Sequence, residues 1–285
     1  MSKNYLSKLL WYSGFLLILL GLLHVPVWLI SGGGWEGSIS WRKPILFGIS
    51  TGMTLCSLGW VTDHLVRNLL DRVVGWLTSI SLVIEVGLIT MQQWRGVASH
   101  FNRDSAFDSR VDMAMVILIC IAFAGIVYFF VRCLGKIRME SDYVVAARSG
   151  MLLLVVSCLI GFVISSFGYQ KVAANLPPET VGENGVAKFP HGVAIHALQI
   201  LPAIVWLLRQ FKIQHAHIKV AIYCVAASFG LQIAFAVYQT ASGFARFQLV
   251  TPTGFLLATL AGLLVVVPAV WFTWKQVAAT PRRTE

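Results

Sequence analysis

The sequence predicts an all-α polytopic membrane protein with eight transmembrane helices, and three observations lead to that class. Hydrophobic residues make up 57% of the 285-residue chain. Charged residues make up 12%, about half of the roughly 25% found in soluble domains. Apolar runs of about 20 residues, the length that crosses a bilayer, recur along the whole chain. Together these observations exclude a soluble globular domain, a disordered chain and a disulfide scaffold.

Each apolar run is predicted to be a helix because backbone groups in lipid must be hydrogen-bonded within their own segment. The first run follows two lysines, as a signal peptide would. Its length and its lack of a small-residue cleavage site predict a retained helix instead. The eight predicted spans are 6–30, 44–66, 73–94, 111–134, 146–168, 190–211, 219–241 and 253–275.

The basic residues predict the orientation of these spans. The formal net charge is +10, from 22 Lys and Arg against 12 Asp and Glu. Thirteen Lys and Arg lie in the segments on the side of the termini, and eight lie in the loops on the other side. Because cytoplasmic loops carry the basic excess, we predict a multi-pass protein of the bacterial cytoplasmic (inner) membrane with both termini in the cytoplasm. The charge is then a topology signal, with the lipid bilayer as partner and no nucleic acid.

The second half of the chain resembles the first. EVGLITMQQWRG, which begins at Glu85, aligns with QIAFAVYQTASG, which begins at Gln232, at an offset of 147 residues. The prolines that open the second and sixth spans are 146 residues apart. Four helices per unit is an even number, so both units would have the same orientation. We therefore predict two parallel four-helix repeats, 1–140 and 141–285.

Polar residues within the spans concentrate towards the predicted outer face, and such residues are functional candidates by default. Glu85 is the most notable, about 13 Å below the outer end of its helix at 1.5 Å per residue. Gln92 is seven residues further along and shares its face. Glu85 is predicted either to carry protons or bind a cation, or to serve as a structural partner for an arginine or a glutamine. The other predicted pocket residues are Gln199, Gln232 and Gln239.

Two histidines lie at matching depth from the predicted outer face. His24 is six residues before the end of the first span, and His196 is six residues after the start of the sixth. Two imidazoles at equal depth on different helices can ligate a haem iron from both sides. We predict haem b or a metal bound by His24 and His196, with His100 and His191 as fallback ligands. The alternative is that each imidazole hydrogen-bonds a backbone carbonyl or a polar neighbour.

Basic residues surround this predicted site. Arg42, Lys43 and Arg95 lie at the predicted outer face and are expected to hold haem propionates or another small anion. The alternative for each of them is interaction with lipid headgroups. On the predicted inner side, His64, His215 and His217 raise a second haem or metal site as an alternative to ordinary solvated residues.

The segments SWRKPILFG, EVGLITMQQWRGVASHFN and HGVAIHALQ resemble a family of uncharacterised bacterial multi-pass membrane proteins, over most of the chain. The resemblance implies no activity. The four-plus-four arrangement is similar to that of haem A synthases, which hold haem between histidines of repeated four-helix units. Those enzymes have a Glu followed three residues later by His, whereas residue 88 here is Leu. That similarity is therefore architectural only.

These observations support three functional hypotheses. The first is a haem-b-binding or metal-binding membrane protein with a redox or electron-transfer role, served by a redox partner on the outer side. The second is a proton-coupled transporter or channel for a small anion. The third is an outward-facing sensor. The sequence supports no prediction about catalysis.

Overall fold

The computed structural model describes residues 5–66 and 68–279. Eight stretches are long and apolar enough to cross a membrane, which confirms the predicted helical class. Helix boundaries differ from the predicted spans by a few residues, most of all in the fifth helix, which is longer at both ends. The helices are α1 (Tyr5–Ser31), α2 (Arg42–His64), α3 (Leu69–Trp94), α4 (Ala106–Leu134), α5 (Ser141–Ala173), α6 (Phe189–Ala194), α7 (Ala197–Gln210), α8 (His215–Ala241) and α9 (Pro252–Ala279).

The sixth predicted span is two helices, because the chain leaves helical hydrogen bonding between α6 and α7 at Ile195 and His196. A short antiparallel hairpin precedes α6, formed by β1 (Thr180–Val181) and β2 (Gly185–Val186). These two strands form the only sheet within the described residues. His196 therefore occupies a helix junction rather than the middle of a straight helix.

The chain divides into two compact units. The first unit contains Met1–Met139 and Gly168–Pro178, and the second contains Glu140–Phe167 and Glu179–Glu285. α1 to α4 lie in the first unit, and α6 to α9 lie in the second. The predicted repeat relation between residues 1–140 and 141–285 stays a prediction.

In the first unit, α1 and α2 pack backbone to backbone through glycine. A Cβ atom at Gly52 would lie 2.5 Å from the carbonyl oxygen of Gly14. A Cβ atom at Gly48 would lie 2.8 Å from the Cα atom of Gly21. Small residues at such a seam let two helices approach closely where no hydrophobic force drives them together in lipid. α3 packs against both of these helices and against α4.

The second unit is held by an apolar core between its helices. Leu153 of α5, Leu201 and Val205 of α7 and Ile222 of α8 are all buried in one cluster. α5 approaches α7 where Gly150 faces Leu198, and a Cβ atom at Gly150 would lie 2.7 Å from the Leu198 Cα atom.

We expect Gly52→Ala to destabilise the first unit by about 1–3 kcal/mol, because the added methyl must push α1 and α2 apart. The measurement is thermal or denaturant unfolding of the purified protein in detergent. Gly87→Ala is the matched control, since a Cβ atom at Gly87 meets nothing within 4 Å. Equal stability of the two variants would contradict the role of the glycine seam.

Candidate functional site

A stripe of buried polar side chains runs along α3. Asp71, Thr78, Glu85 and Gln92 follow one another at intervals of seven residues and are 5%, 0%, 7% and 0% exposed. Residues seven apart lie on nearly the same face of a helix, drifting by only about 20° per interval. From Asp71 to Gln92 the stripe extends about 31 Å along the axis, which matches the roughly 30 Å hydrocarbon core of a bilayer. We call these four residues the α3 stripe.

At the Gln92 end, the stripe is closed by an ion pair. The Asp108 carboxylate accepts hydrogen bonds from Gln92 Nε2 at 3.0 Å and from Arg95 Nη1 at 2.6 Å. Arg95 also donates to Gln92 Oε1. Ser105 caps α4 by accepting from the Asp108 N–H, and its hydroxyl donates to Asp108 Oδ2 at 2.5 Å. Every side-chain polar atom of Gln92 and Asp108 therefore has a protein partner.

At the Asp71 end, a second ion pair joins α3 to α4. The Tyr128 hydroxyl donates to Asp71 Oδ1 at 2.8 Å, and Arg132 Nη2 donates to Asp71 Oδ2 at 3.1 Å. The same Arg132 nitrogen donates to the Val66 carbonyl at 2.5 Å. Asp71 also accepts from the Asn68 N–H, which completes a capping box at the start of α3.

Between the two ion pairs lies Glu85, and its environment is different. Its Oε2 atom is fully buried and has no hydrogen-bond partner. One turn further along, Ile89 packs in a buried cluster with Val111 and Met115 of α4. Towards the other end, the Thr78 hydroxyl donates to the Val74 carbonyl of the same helix, and Thr78 faces Gly125 of α4. The Oε2 atom of Glu85 is thus buried between the two ion pairs without a hydrogen-bond partner.

His24, predicted as a haem ligand, is hydrogen-bonded at both ring nitrogens. Nδ1 donates to the Leu20 carbonyl at 2.7 Å, and Nε2 accepts from the Trp94 indole N–H at 3.1 Å. Its ring also lies near that of Trp41, with centroids 6.1 Å apart. A metal ion at Nε2 would have to displace the Trp94 indole.

The other predicted histidine ligands occupy separate local environments. His191 Nδ1 contacts the Ser157 carbonyl at 2.7 Å, and the Ser157 hydroxyl donates to the His191 carbonyl at 2.6 Å, so this pair joins α5 to α6. His100 Nδ1 lies 2.8 Å from the Ser99 hydroxyl. His196 precedes α7, and its carbonyl accepts from the N–H of Gln199, the nearby predicted pocket residue. The assignment of any of them to haem stays a prediction.

The basic residues predicted to hold propionates or another anion are already paired with oxygen atoms. Arg42, the first residue of α2, is 8% exposed and pairs with Glu36. Lys43 donates to the Ser38 carbonyl at 2.7 Å. Arg95 is held by Asp108. The predicted span 111–134 leaves Asp108 in a loop, whereas Asp108 lies in the first turn of α4. Sequence reasoning therefore missed its pairing with Arg95.

The helix ends after Gln92 and Gln239 have the same hydrogen-bond pattern. Gly96 and Gly243 follow α3 and α8 with φ angles of +69° and +73°, which glycine adopts without steric cost. The next N–H in each case, of Val97 or Phe244, reaches back to the glutamine carbonyl. The two turns lie 147 residues apart, which is the offset of the predicted repeat, and the repeat itself stays a prediction.

The two units differ in what these glutamines bind. Gln239 donates to the carbonyls of Ala245 and Gln248. The residue 147 positions after Asp108 is Phe255, so the repeat offset places no carboxylate opposite Gln239. Gln232, the counterpart of Glu85, donates to the Ser228 hydroxyl at 3.0 Å, which in turn donates to the Ala261 carbonyl. The unsatisfied carboxyl therefore belongs to the first unit.

The second unit contains one cluster that sequence reasoning only partly anticipated. His215 Nδ1 lies 2.9 Å from Asp142 Oδ2, and the carboxylates of Glu140 and Asp142 lie close enough to His215 to share one ion. Arg209, however, donates to both carboxylates, at 2.5 Å and 2.6 Å. The cluster is therefore a satisfied ion-pair network that joins α5, α7 and α8. His64 is not part of it and contacts the Trp60 carbonyl of its own helix.

No protein family, no curated protein and no solved structure matches this chain. The resemblance to uncharacterised bacterial membrane proteins and the architectural similarity to haem A synthases stay predictions. The function has to be argued from the residues themselves.

We expect Asp108→Ala to lower the free energy of unfolding by about 1–3 kcal/mol, because the buried amide of Gln92 then lacks an acceptor. Unfolding in detergent, followed by circular dichroism, measures the change. Asp104→Ala removes an exposed carboxylate from the preceding loop and should leave stability unchanged. Equal unfolding midpoints for the two variants would contradict a stabilising role for Asp108.

Proposed function

We propose that this chain is a proton-coupled membrane transporter in which Glu85 takes up and releases the proton. The observation that supports the proposal is the buried Oε2 atom of Glu85, which has no hydrogen-bond partner and lies two-thirds of the way from Asp71 to Gln92 along a polar stripe as long as a bilayer is thick. Ionisable residues in spanning helices are costly and usually mark ion or proton pathways.

The chemistry of an isolated carboxyl suits this role. Without a cation or a hydrogen-bond donor, burial favours the neutral, protonated form. Water that reaches the carboxyl from either surface would favour the ionised form and release the proton. The group therefore binds a proton when enclosed and exchanges it when hydrated, which is what coupling to a conformational change requires.

The paired basic residues favour a cation over an anion as the coupled species. Each side chain predicted to attract an anion is held by an acidic or carbonyl oxygen, as Arg42 is by Glu36 and Arg95 is by Asp108. An anion at Arg95 would have to displace Asp108, and leaving that buried carboxylate unpaired costs several kcal/mol. A proton bound at Glu85 requires no free arginine or lysine side chain.

The test is proton flux into liposomes that contain the purified protein and an entrapped pH-sensitive dye. A potassium gradient with valinomycin drives proton entry. We expect entry above that of protein-free liposomes, reduced to the protein-free rate in Glu85→Gln and retained in Glu85→Asp.

Asp63→Asn is the matched control, because Asp63 is an exposed carboxylate at the end of α2. It should retain the wild-type rate. The infrared band of a protonated carboxyl provides a second readout, which Glu85→Gln should remove. A Glu85→Gln protein with unchanged flux and an unchanged band would overturn the proposal.

Haem binding by His24 and His196 is the second candidate, supported by their matching depth in the sequence. It requires His24 Nε2 to give up the Trp94 indole. If it is correct, protein purified after expression with haem supply shows a Soret band that His24→Ala and His196→Ala remove and His217→Ala retains. A spectrum without that band would eliminate the redox role.

A further inference from the structure

We infer that the two ion pairs at the ends of the α3 stripe are gates that separate Glu85 from the two membrane surfaces. The inference rests on the proposed function, and the groups that move are the two ion pairs. The first gate is Asp71 with Arg132, and the second is Asp108 with Arg95. Both pairs join α3 to α4, and both are formed, so the structure corresponds to a state in which Glu85 is closed off from both sides.

In each ion pair the carboxylate is buried and the arginine is partly exposed, as a gate requires. The Asp71 and Asp108 side chains are 7% and 6% exposed, whereas those of Arg132 and Arg95 are 24% and 38% exposed. The arginines are therefore the more exposed members of the two pairs, and their long side chains can move the charged heads outwards. The carboxylates cannot remain buried once unpaired, so water would follow into the stripe.

The gate at the Asp71 end controls three segments at once. Arg132 of α4 binds Asp71 of α3 and the Val66 carbonyl after α2. Tyr128, one turn earlier on α4, binds the other oxygen of Asp71. Release of the Arg132 contacts would leave this end of α4 held by the Tyr128 bond to Asp71 and by the bond from the Arg138 N–H to the His64 carbonyl.

The gate at the Gln92 end has two layers. The ion pair of Arg95 and Asp108 forms the outer layer, with Gln92 beneath it. The apolar cluster of Ile89, Val111 and Met115 lies between Gln92 and Glu85. We expect this apolar layer to keep water from Glu85 even when the ion pair of Arg95 and Asp108 is open.

The second unit lacks the corresponding residues. At the repeat offset of 147, Asp71 and Thr78 become Ile218 and Val225, and Asp108 becomes Phe255. Neither α8 nor α9 contains an Asp or Glu that could make either pair. Gating along a polar stripe is a property of the first unit alone.

The experiment measures access to Glu85 directly. A water-soluble carbodiimide activates a carboxyl, and glycinamide then replaces the activated oxygen to give an amide, with a urea released. Mass spectrometry locates the label. Spheroplasts present one membrane surface to the reagents, and inverted vesicles present the other.

We expect Glu85 to be protected from both sides in the wild type. In Arg132→Gln, labelling should rise severalfold from one side only. In Arg95→Gln combined with Ile89→Ala, labelling should rise severalfold from the opposite side, and Arg95→Gln alone should give a smaller increase. Arg132→Lys and Arg95→Lys retain the positive charge and should remain protected.

The matched controls remove arginines near each gate without breaking it. Arg72 is exposed beside Asp71, and Arg103 pairs with Asp112, which is outside the stripe. Arg72→Gln and Arg103→Gln should leave Glu85 protected. If Arg132→Gln does not fold, the double variant Asp71→Asn with Arg132→Gln removes the pair without leaving a buried charge, and the same labelling is expected.

The outcomes separate this inference from the proposed function. Labelling from opposite sides in the two gate variants supports the gates even if the wild type carries no proton flux. Protection of Glu85 in every variant, or labelling from the same side in both, overturns the gates even if the flux is present.

Discussion

The interior of a bilayer offers no hydrogen bonds, so every polar group placed there must find its partner inside the protein. In the first unit this constraint explains nearly all of the polar side chains on α3. Asp71 and Gln92 each engage residues of α4, and Thr78 bonds its own helix. Glu85 is the exception, and its carboxyl oxygen is enclosed without a partner. A group that violates so strict a constraint is the best indication of function in this chain.

Enclosure of Glu85 also depends on close packing through glycine and apolar residues. The glycine seam between α1 and α2 brings the two backbones into contact, and α3 packs against both helices. Close packing of this kind supplies the attraction that the hydrophobic effect cannot supply between helices in lipid. The apolar cluster around Ile89 then seals the space between Glu85 and the Gln92 end. The polar stripe and the apolar seam therefore form one arrangement, in which tight packing maintains an unsatisfied carboxyl.

Charge pairing is the observation that favours the proposed function over the alternatives that the sequence left open. Isolated arginines at a membrane surface would suit propionates or a free anion. Arg42 and Arg95 instead neutralise nearby carboxylates, and both nitrogens of His24 are engaged by neighbours. What remains is a carboxyl that can exist in two protonation states, between two ion pairs that can open. That combination favours proton movement over anion or haem binding.

Composition and periodicity determined the fold class and the helices, because the cost of placing backbone in lipid leaves so few alternatives. The same reasoning identified Glu85 and Gln92, since a polar residue within an apolar run stands out without any structure. The seven-residue spacing that extends to Asp71 was also present in the sequence and could have completed the stripe. Only the tertiary structure decided which groups are satisfied. Asp108 and Tyr128 meet α3 because α4 packs antiparallel to it, and no pattern within either helix specifies that register. The indole on His24 likewise comes from a segment distant in sequence, and the break at His196 was not predicted from the sequence.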